Sequence, residues 1–391
     1  MLDTMARLPR RIASELTAPL RSPQVAGAVA GIEGKLTARR REQKIQSGAF
    51  RGVQVIVYRG FVADDVARVR VRVIETPELP GDRRIPYWDV AQANLRRHAA
   101  LHIVGAEVTL RIGAHSATEV TDDHGFATFA LPVPGLRTGW HQAVAQTRPI
   151  EDGDPVAGTG SVVKPSLRAA FLVISDIDDT ILLTGLTEGV AMVTRTLLRD
   201  AEQRRAIPGM SRLYQGLERG LPTRSGNRRP KPTFFYVSTG SWSFYPLLTH
   251  FAQLRGFPAG PMFLTDWGPT ERYLRRSGAE HKRTAIRRLF EAYPGMQFVL
   301  IGDSGQRDPL TYEEMARDFP GHVKLVLIRR VGSEDDERNR QIAQRAARLR
   351  DEGIPLHLVA DAAEAAAVAH VHGLCDDVTL LAVRGELDND N

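Results

Sequence analysis

Hydrophobic and polar positions follow different rules in the two halves of this chain. Val66-Ala67-Arg68-Val69-Arg70-Val71-Arg72-Val73 alternates apolar and basic residues, the period of two that sets one strand face on a core and the other in water. The alternation predicts a half-buried antiparallel strand with its valines inward and its arginines toward solvent. Glu107-Val108-Thr109-Leu110-Arg111-Ile112 repeats the pattern, and Thr121-Asp122-Asp123-His124-Gly125 is a turn signal leading into Phe126-Ala127-Thr128-Phe129. With Trp140 to Gln146 and Gly158 to Val163, the strand pattern that begins near Gly52 predicts a small all-β, sandwich-like domain over residues 49–166. Tyr87 to His98 is more polar and reads as a helical or irregular insertion.

Beyond Pro165 the alternation gives way to unbroken apolar runs. Phe171-Leu172-Val173-Ile174, Thr233-Phe234-Phe235-Tyr236-Val237, Met262-Phe263-Leu264-Thr265, Gln297-Phe298-Val299-Leu300-Ile301-Gly302, Val323 to Ile328 and Leu356 to Val359 have strand length and no polar face. Such runs predict strands buried on both sides, as in a parallel sheet. Helical spacing separates them: Val190 to Arg204, Met210 to Gly220, the stretch with Ile286, Leu289 and Phe290, and the charged Glu334 to Glu352. A last helix opens on Asp361 as N-cap, with Glu364 completing a capping box and Gly373 as its stop. The fold class expected for residues 167–384 is therefore α/β with a Rossmann-like parallel sheet, and the tail 385–391 is expected to be disordered.

Composition narrows the setting. A 391-residue chain with 42% hydrophobic residues suits two soluble domains. No stretch is long and apolar enough for a membrane span or a secretory leader, and the single cysteine, Cys375, allows no internal disulfide. The expected location is cytoplasmic. Of the net charge of +6, most sits in the leader, where Met1 to Phe50 carries nine Lys or Arg against four Asp or Glu. A basic segment over 1–48 suits peripheral contact with an anionic membrane, although a solvated leader without a ligand explains the same charges; a nucleic-acid partner is not expected.

The chemistry lies where the apolar runs stop. The first ends on Ser175-Asp176-Ile177-Asp178-Asp179-Thr180, and open α/β sheets bind their ligands beyond the carboxyl ends of their strands. Two like charges 4 Å apart repel by about 4 kcal/mol at an effective dielectric of 20, so the acids need a counter-charge, and a hard divalent cation suits them. Asp176 is the candidate nucleophile, since an aspartate can relay a phosphoryl group as an acyl phosphate. Asp178, two residues on, is placed to act as general acid and base. The second run ends on Ser238-Thr239-Gly240, the fourth on Gly302-Asp303 with Asp308 close behind, and Lys282 stands near a helix start. Asp303 would complete a Mg²⁺ site with Asp176, while Ser238 and Lys282 would hold phosphoryl oxygens and Asp308 would orient Lys282 or a metal-bound water. Thr180 and Thr239 are supporting residues, and Trp242 and Gln306 are candidate substrate contacts. Taken singly, each has a plainer reading: Asp178 or Asp179 as a helix cap, Lys282 as a surface charge, Ser238 as a turn residue and Trp242 as packing. Their ordered coincidence at strand ends favours the functional one. His115, His124 and His141 have no spacing that would make them metal ligands.

In order and context, Asp176-x-Asp178-x-Thr180, the strand ending in Ser238, Lys282 and the Asp303 to Asp308 cluster resemble the haloacid-dehalogenase-like phosphohydrolases. Asp176-Ile177-Asp178-Asp179-Thr180, Tyr236-Val237-Ser238, Gly302-Asp303-Ser304-Gly305-Gln306 with Asp308-Pro309, and Ile328-Arg329 resemble more narrowly the phosphatidate phosphatase catalytic domain of the actin-patch-associated type, with its bacterial relatives. One departure is Ser241 before Trp242, where the eukaryotic members are expected to carry proline. The resemblance implies a Mg²⁺-dependent phosphomonoesterase with a minimal cap, with phosphatidate or a related phospholipid as substrate. It also implies that Asp178 touches the metal through its backbone carbonyl. A phosphatase of phosphoproteins or soluble esters, and a membrane or protein binding module retaining an unused site, are the alternatives. The spacing between motifs leaves no room for an independent lid, and an open site suits a substrate presented on a large surface.

Overall fold

The computed structural model describes residues 52–76, 101–148, 154–181, 206–220, 229–265 and 278–390. The basic leader 1–48, the insertion Tyr87 to His98, the helix expected over Val190 to Arg204 and most of the segments that bear on a cap lie outside the described residues.

Strands β1 (Val53–Val57), β2 (Gly60–Ala63), β3 (Val66–Glu75), β4 (Glu107–Ile112), β5 (His115–Val120), β6 (Phe126–Pro132), β7 (Gly139–Thr147) and β8 (Val156–Lys164) form the first, largely antiparallel sheet. It is one hydrogen-bonded sheet rather than two separate ones, in the order β1-β3-β2-β8-β7-β4-β5 with β6 branching from β3. The short, wholly buried β2 joins its halves by pairing antiparallel with β3 and parallel with β8. The valines of β3 and β1, with Leu110, Phe129 and Val162, fill its core. The expected turn before β6 is present: Asp122 Oδ1 accepts from the backbone N–H groups of His124 and Phe126, and Gly125 takes φ 75.

The alternation of β3 holds and Arg68 is exposed as expected, but the other two arginines of that face do not point to water. Arg72 is 7% exposed and Arg70 is half-buried, because the second half of the chain covers that face. Arg70 lies 3.8 Å from the Phe126 ring centroid and 5.4 Å from that of Trp242. Arg72 reaches the Ser243 hydroxyl at 3.4 Å and His102 Nε2 at 2.7 Å. Burial, then the charge of Arg72, pushes His102 down to about 4, which keeps its ring neutral and able to accept from that guanidinium.

The second sheet is parallel and six-stranded, in the order β11 (Met262–Thr265), β10 (Phe234–Ser241), β9 (Leu172–Asp176), β12 (Phe298–Asp303), β13 (Val323–Arg329), β14 (Leu356–Val359). Alternate residues of each strand enter opposite cores, as strand geometry requires. Val173, Tyr236, Ile301 and Leu327 face helices α1 (Met210–Arg219), α2 (Tyr245–Leu254), α6 (Ala362–Val371) and α7 (Asp377–Asp390). Ile174, Phe235, Leu300 and Ile328 face α3 (Gly278–Ala292), α4 (Asp308–Asp318) and α5 (Glu337–Asp351). Each such side chain, fully buried, contributes about 1.5–3 kcal/mol. The first sheet is tied into both cores: Tyr58 and Phe126 join one, and Phe61, Ala63 and Val163 the other. Tyr293 donates its hydroxyl to the Val62 carbonyl at 2.9 Å.

Two expectations are corrected at the carboxyl end of the chain. Residues 385–390 belong to α7 rather than to a disordered tail. Glu386 accepts from Arg212 Nε at 2.9 Å and from Gly209 N at 3.2 Å, and Leu387 packs on the α1 side of the core, so tertiary contacts order a stretch whose composition does not. At the start of α6, Asp361 accepts from Glu364 N as expected, but Glu364 reaches back to Ala360 N, one residue before the cap.

Chain direction sets the place of chemistry. From β9 the sheet grows outward through β10 and β11, then the chain returns to β12 on the other side of β9 and grows outward again. The reversal lies between β9 and β12, and crevices form at such a switch point beyond the strand ends. Asp176 and Asp303 are the last residues of those two strands.

Candidate active site

Asp176, Asp178, Asp303 and Asp308 are all buried, with Lys282 among them at 3% exposure. Lys282 comes from the second turn of α3, and its Nζ sits 2.7 Å from Asp176 Oδ1 and 2.6 Å from Asp308 Oδ1. It is the central cation of the cluster, not a surface charge. Burial alone would lower its pKa, but the Asp176 and Asp308 carboxylates outweigh that and hold it above the ordinary lysine value. Asp176 is pushed well up by burial, against the pull of Lys282. Burial, reinforced by Asp308, raises Asp303 to about 7.

The geometry divides the acids by partner. Asp178 accepts from the Ser238 hydroxyl at 2.7 Å, and burial raises its pKa despite that bond. Ser238 in turn accepts from Gly240 N at 2.9 Å, so its proton is aimed at Asp178. The strand carrying Ser238 runs on to Ser241, farther than its apolar pattern predicts, although its pairing with β9 stops at Val237 opposite Asp176. Thr180 donates to Asp176 Oδ2 at 3.4 Å. Thr239 contributes its carbonyl, which accepts from the Thr265 hydroxyl at 2.8 Å.

Asp303 shows one occupied face and one open one. Its Oδ1 takes the N–H groups of Gly305 and Gln306 at 2.5 and 3.2 Å, while Oδ2 is buried without a hydrogen-bond partner. Asp176, Asp303 and Asp308 together offer carboxylate oxygens within 4.8 Å of one another. A buried, partnerless carboxylate oxygen beside two more acids, with no His or Cys in the group, fits a hard, oxygen-seeking ion such as Mg²⁺. While the Asp178 carboxylate is turned to Ser238, which leaves its expected contact through the backbone carbonyl untouched, Asp308 stands with Asp176 and Asp303 as a third carboxylate. Gly302 makes room for this, because a Cβ there would lie 2.6 Å from Asp308 Oδ2 and 2.9 Å from the Tyr312 ring.

Of the candidate substrate contacts, Gln306 is in the cluster. Its Oε1 accepts from Lys282 at 3.3 Å and its Nε2 is buried without a partner. Trp242 is not available as expected. It is 8% exposed and its ring is covered by Tyr58 at 4.5 Å between centroids, with Tyr245 and Phe126 around it, so it packs the two sheets together. His115, His124 and His141 join no metal-binding group among the described residues.

Two residues of the site, Ser175 and Asn339, carry no sequence signal of their own, and a third, Arg329, is marked in the sequence only as part of the Ile328-Arg329 motif, without its partner. Ser175 donates to the Asp176 carbonyl at 2.6 Å and meets the Tyr214 hydroxyl at 2.7 Å. Asn339, from α5, accepts from the Ser304 hydroxyl at 2.7 Å and ties the loop after β12 to the chain beyond β13. Arg329, at the end of β13, reaches across to the Asp179 carbonyl. Their partners are distant in sequence, which local patterns do not reveal.

Residues 171–330 match the family model of the catalytic domain of phosphatidate phosphatase APP1. The phosphatidate phosphatase APP1 of Saccharomyces cerevisiae is 29% identical over 182 residues, which cover 45% of this chain and 29% of that protein. An uncharacterized protein of Schizosaccharomyces pombe is 27% identical over 168 residues, 43% of this chain and 26% of its own length. The matched regions thus span less than a third of either curated relative. Among solved structures, a β-glucuronidase of Parabacteroides merdae overlaps 71% of this chain and 34% of its own at a TM-score of 0.25 and 9% identity, too slight a likeness to bear on the fold. What this chain has in common with phosphatidate phosphatase APP1 is similarity to its catalytic domain over residues 171–330, the segment that carries Asp176, Asp178, Ser238, Lys282, Asp303, Asp308 and Arg329.

Proposed function

We propose that this protein is a Mg²⁺-dependent phosphomonoesterase of the haloacid-dehalogenase-like kind that hydrolyses phosphatidate to diacylglycerol and phosphate through an aspartyl phosphate at Asp176. The observation that carries the reading is the buried group at the β9–β12 switch point: Asp176 paired with Lys282 at 2.7 Å, with Asp178 bonded to Ser238 alongside. Similarity to the APP1 catalytic domain supports the choice of substrate.

In this mechanism the Asp176 carboxylate attacks phosphorus, and the bond from phosphorus to the glycerol oxygen breaks. Asp178, kept protonated by burial, gives its proton to the departing oxygen. As a carboxylate it then takes a proton from the water that attacks phosphorus, and cleavage of the Asp176–phosphorus bond frees phosphate and regenerates both acids. Lys282 holds negative charge close to Asp176, and the partnerless Nε2 of Gln306 is a donor for a phosphoryl oxygen. Asp176, Asp303 and Asp308 would hold the Mg²⁺, which when bound supplies charge neutralisation for the phosphoryl oxygens. The site would work in the cytoplasm at a membrane surface, with the basic leader 1–48 as a peripheral contact.

A panel of phosphatidate in mixed micelles, a phosphopeptide and an aryl phosphate, each with Mg²⁺ and with excess chelator, tests this. Release of phosphate from phosphatidate should exceed that from the phosphopeptide. It should stop in chelator and return with Mg²⁺ but not with Zn²⁺, because the acid set lacks soft ligands. Full turnover in chelator would remove the metal from the account, preference for the phosphopeptide would make this a protein phosphatase, and no turnover of any ester would leave a binding module with an unused site.

A further inference from the structure

Asp179 is one of three described non-glycine residues with positive φ, at 51°, in the left-handed region where the Cβ of an L-residue crowds the backbone. It directly follows Asp178, and its turn determines where the Asp178 carboxylate points relative to Asp176. Local sequence does not enforce the turn, since no glycine stands there. What meets it is Arg329. The guanidinium spans from the end of β13 and places both Nε and Nη2 on the Asp179 carbonyl, at 2.9 and 2.5 Å, while Nη1 donates to the Arg330 carbonyl at 3.1 Å. Arg329 is itself anchored to the other half of the site. Its Cα is paired across the sheet with that of Asp303, and its carbonyl accepts from Ser304 N at 2.9 Å. One residue therefore links the loop after β9, which carries Asp176 and Asp178, to the strand end that carries Asp303.

Given the phosphatase reading above, we propose that Arg329 is a positioning residue, a two-pronged clamp on the Asp179 carbonyl that holds the left-handed turn and thereby aims Asp178 at the oxygen that leaves phosphorus as Asp176 attacks. The two-pronged grip is what matters, because a point charge cannot fix the direction of a carbonyl as a planar fork does. The clamp touches no reacting atom. Its loss should misdirect the acid without weakening capture of the substrate.

The test uses the full chain with Arg329→Met, Arg329→Lys and the pair Arg329→Met with Asp179→Gly, with Mg²⁺ and the substrate that wild type turns over best. Arg329→Met should lower kcat by about a hundredfold, the cost of misplacing a reacting group by about 1 Å, with KM little changed. Arg329→Lys should be nearly as slow, since it keeps the charge and loses the fork. Adding Asp179→Gly to Arg329→Met should recover part of kcat, because glycine adopts positive φ without steric cost. Wild-type kcat in Arg329→Met, recovery by lysine, or a double variant no faster than Arg329→Met would overturn the clamp. If wild type hydrolyses no phosphomonoester, the phosphatase reading fails by itself, and the clamp is judged by unfolding midpoints. Arg329→Met must then lower the midpoint and Asp179→Gly must raise it again in that background, and the absence of that recovery overturns the clamp.

Discussion

Asp176→Asn should lower phosphate release at least about a thousandfold while leaving the fold in place, since the change removes the proposed nucleophile and little else. An amide is nearly the size of a carboxylate, so packing at the end of β9 is undisturbed. The electrostatics also tolerate it. Burial lifts the Asp176 pKa well above that of an ordinary carboxylate, so a charge at this position is costly in the metal-free fold and a neutral amide relieves repulsion from Asp308 and Asp178. Lys282 keeps Asp308 at 2.6 Å and is not stranded. The unfolding midpoint in chelator should therefore stay close to wild type or rise. Activity within tenfold of wild type, in a folded variant, would mean that another group attacks phosphorus.

Lys282→Met carries the second large effect, and here stability should fall with activity. The methionine matches the lysine stem but leaves Asp176 and Asp308 facing each other without their shared cation. Removing one partner of a buried ion pair costs about 3–5 kcal/mol, a large part of the roughly 5–15 kcal/mol that stabilises a typical domain. The deficit should be greatest in chelator and smaller in Mg²⁺, which in the proposed mechanism is held by the same carboxylates. Asp308→Asn in the same background should restore part of the lost stability, because it removes one of the two uncompensated charges. For activity, loss of a preorganised charge beside the transferring group should cost about a hundred- to a thousandfold in kcat. A variant with unchanged midpoint and kcat would reduce Lys282 to a spectator.

The parts of this site that can be read in the sequence are those set by short-range pattern. Leu172 to Asp176 and Phe298 to Asp303 declare themselves as buried strands because their apolar runs are unbroken, and their terminal acids follow from the same runs. The alternation in β3 shows which side of that strand faces its own core. It does not show what covers the other side, and so Arg70 and Arg72 read as solvated until Trp242 is seen against the first and Ser243 against the second. Trp242 is misread for the same reason, since a tryptophan after a catalytic strand gives no sign that Tyr58, more than a hundred residues earlier, covers its ring. Asp308 can be placed near Lys282 from sequence, but its membership in the three-carboxylate group depends on Gly302 leaving space for it. The Arg329 clamp joins residues 150 positions apart, and the Ile328-Arg329 motif gives no sign that its partner is the Asp179 carbonyl.

The most direct test of the central claim is to trap the phosphoryl group on Asp176. Wild-type protein mixed with phosphate-labelled phosphatidate and Mg²⁺, quenched in acid within one turnover and digested, should yield label on the peptide containing Asp176. The label should be released by hydroxylamine, as an acyl phosphate requires, and should be absent from Asp176→Asn. Rapid phosphate release with no label on that peptide, or label that persists on another residue in Asp176→Asn, would contradict the account.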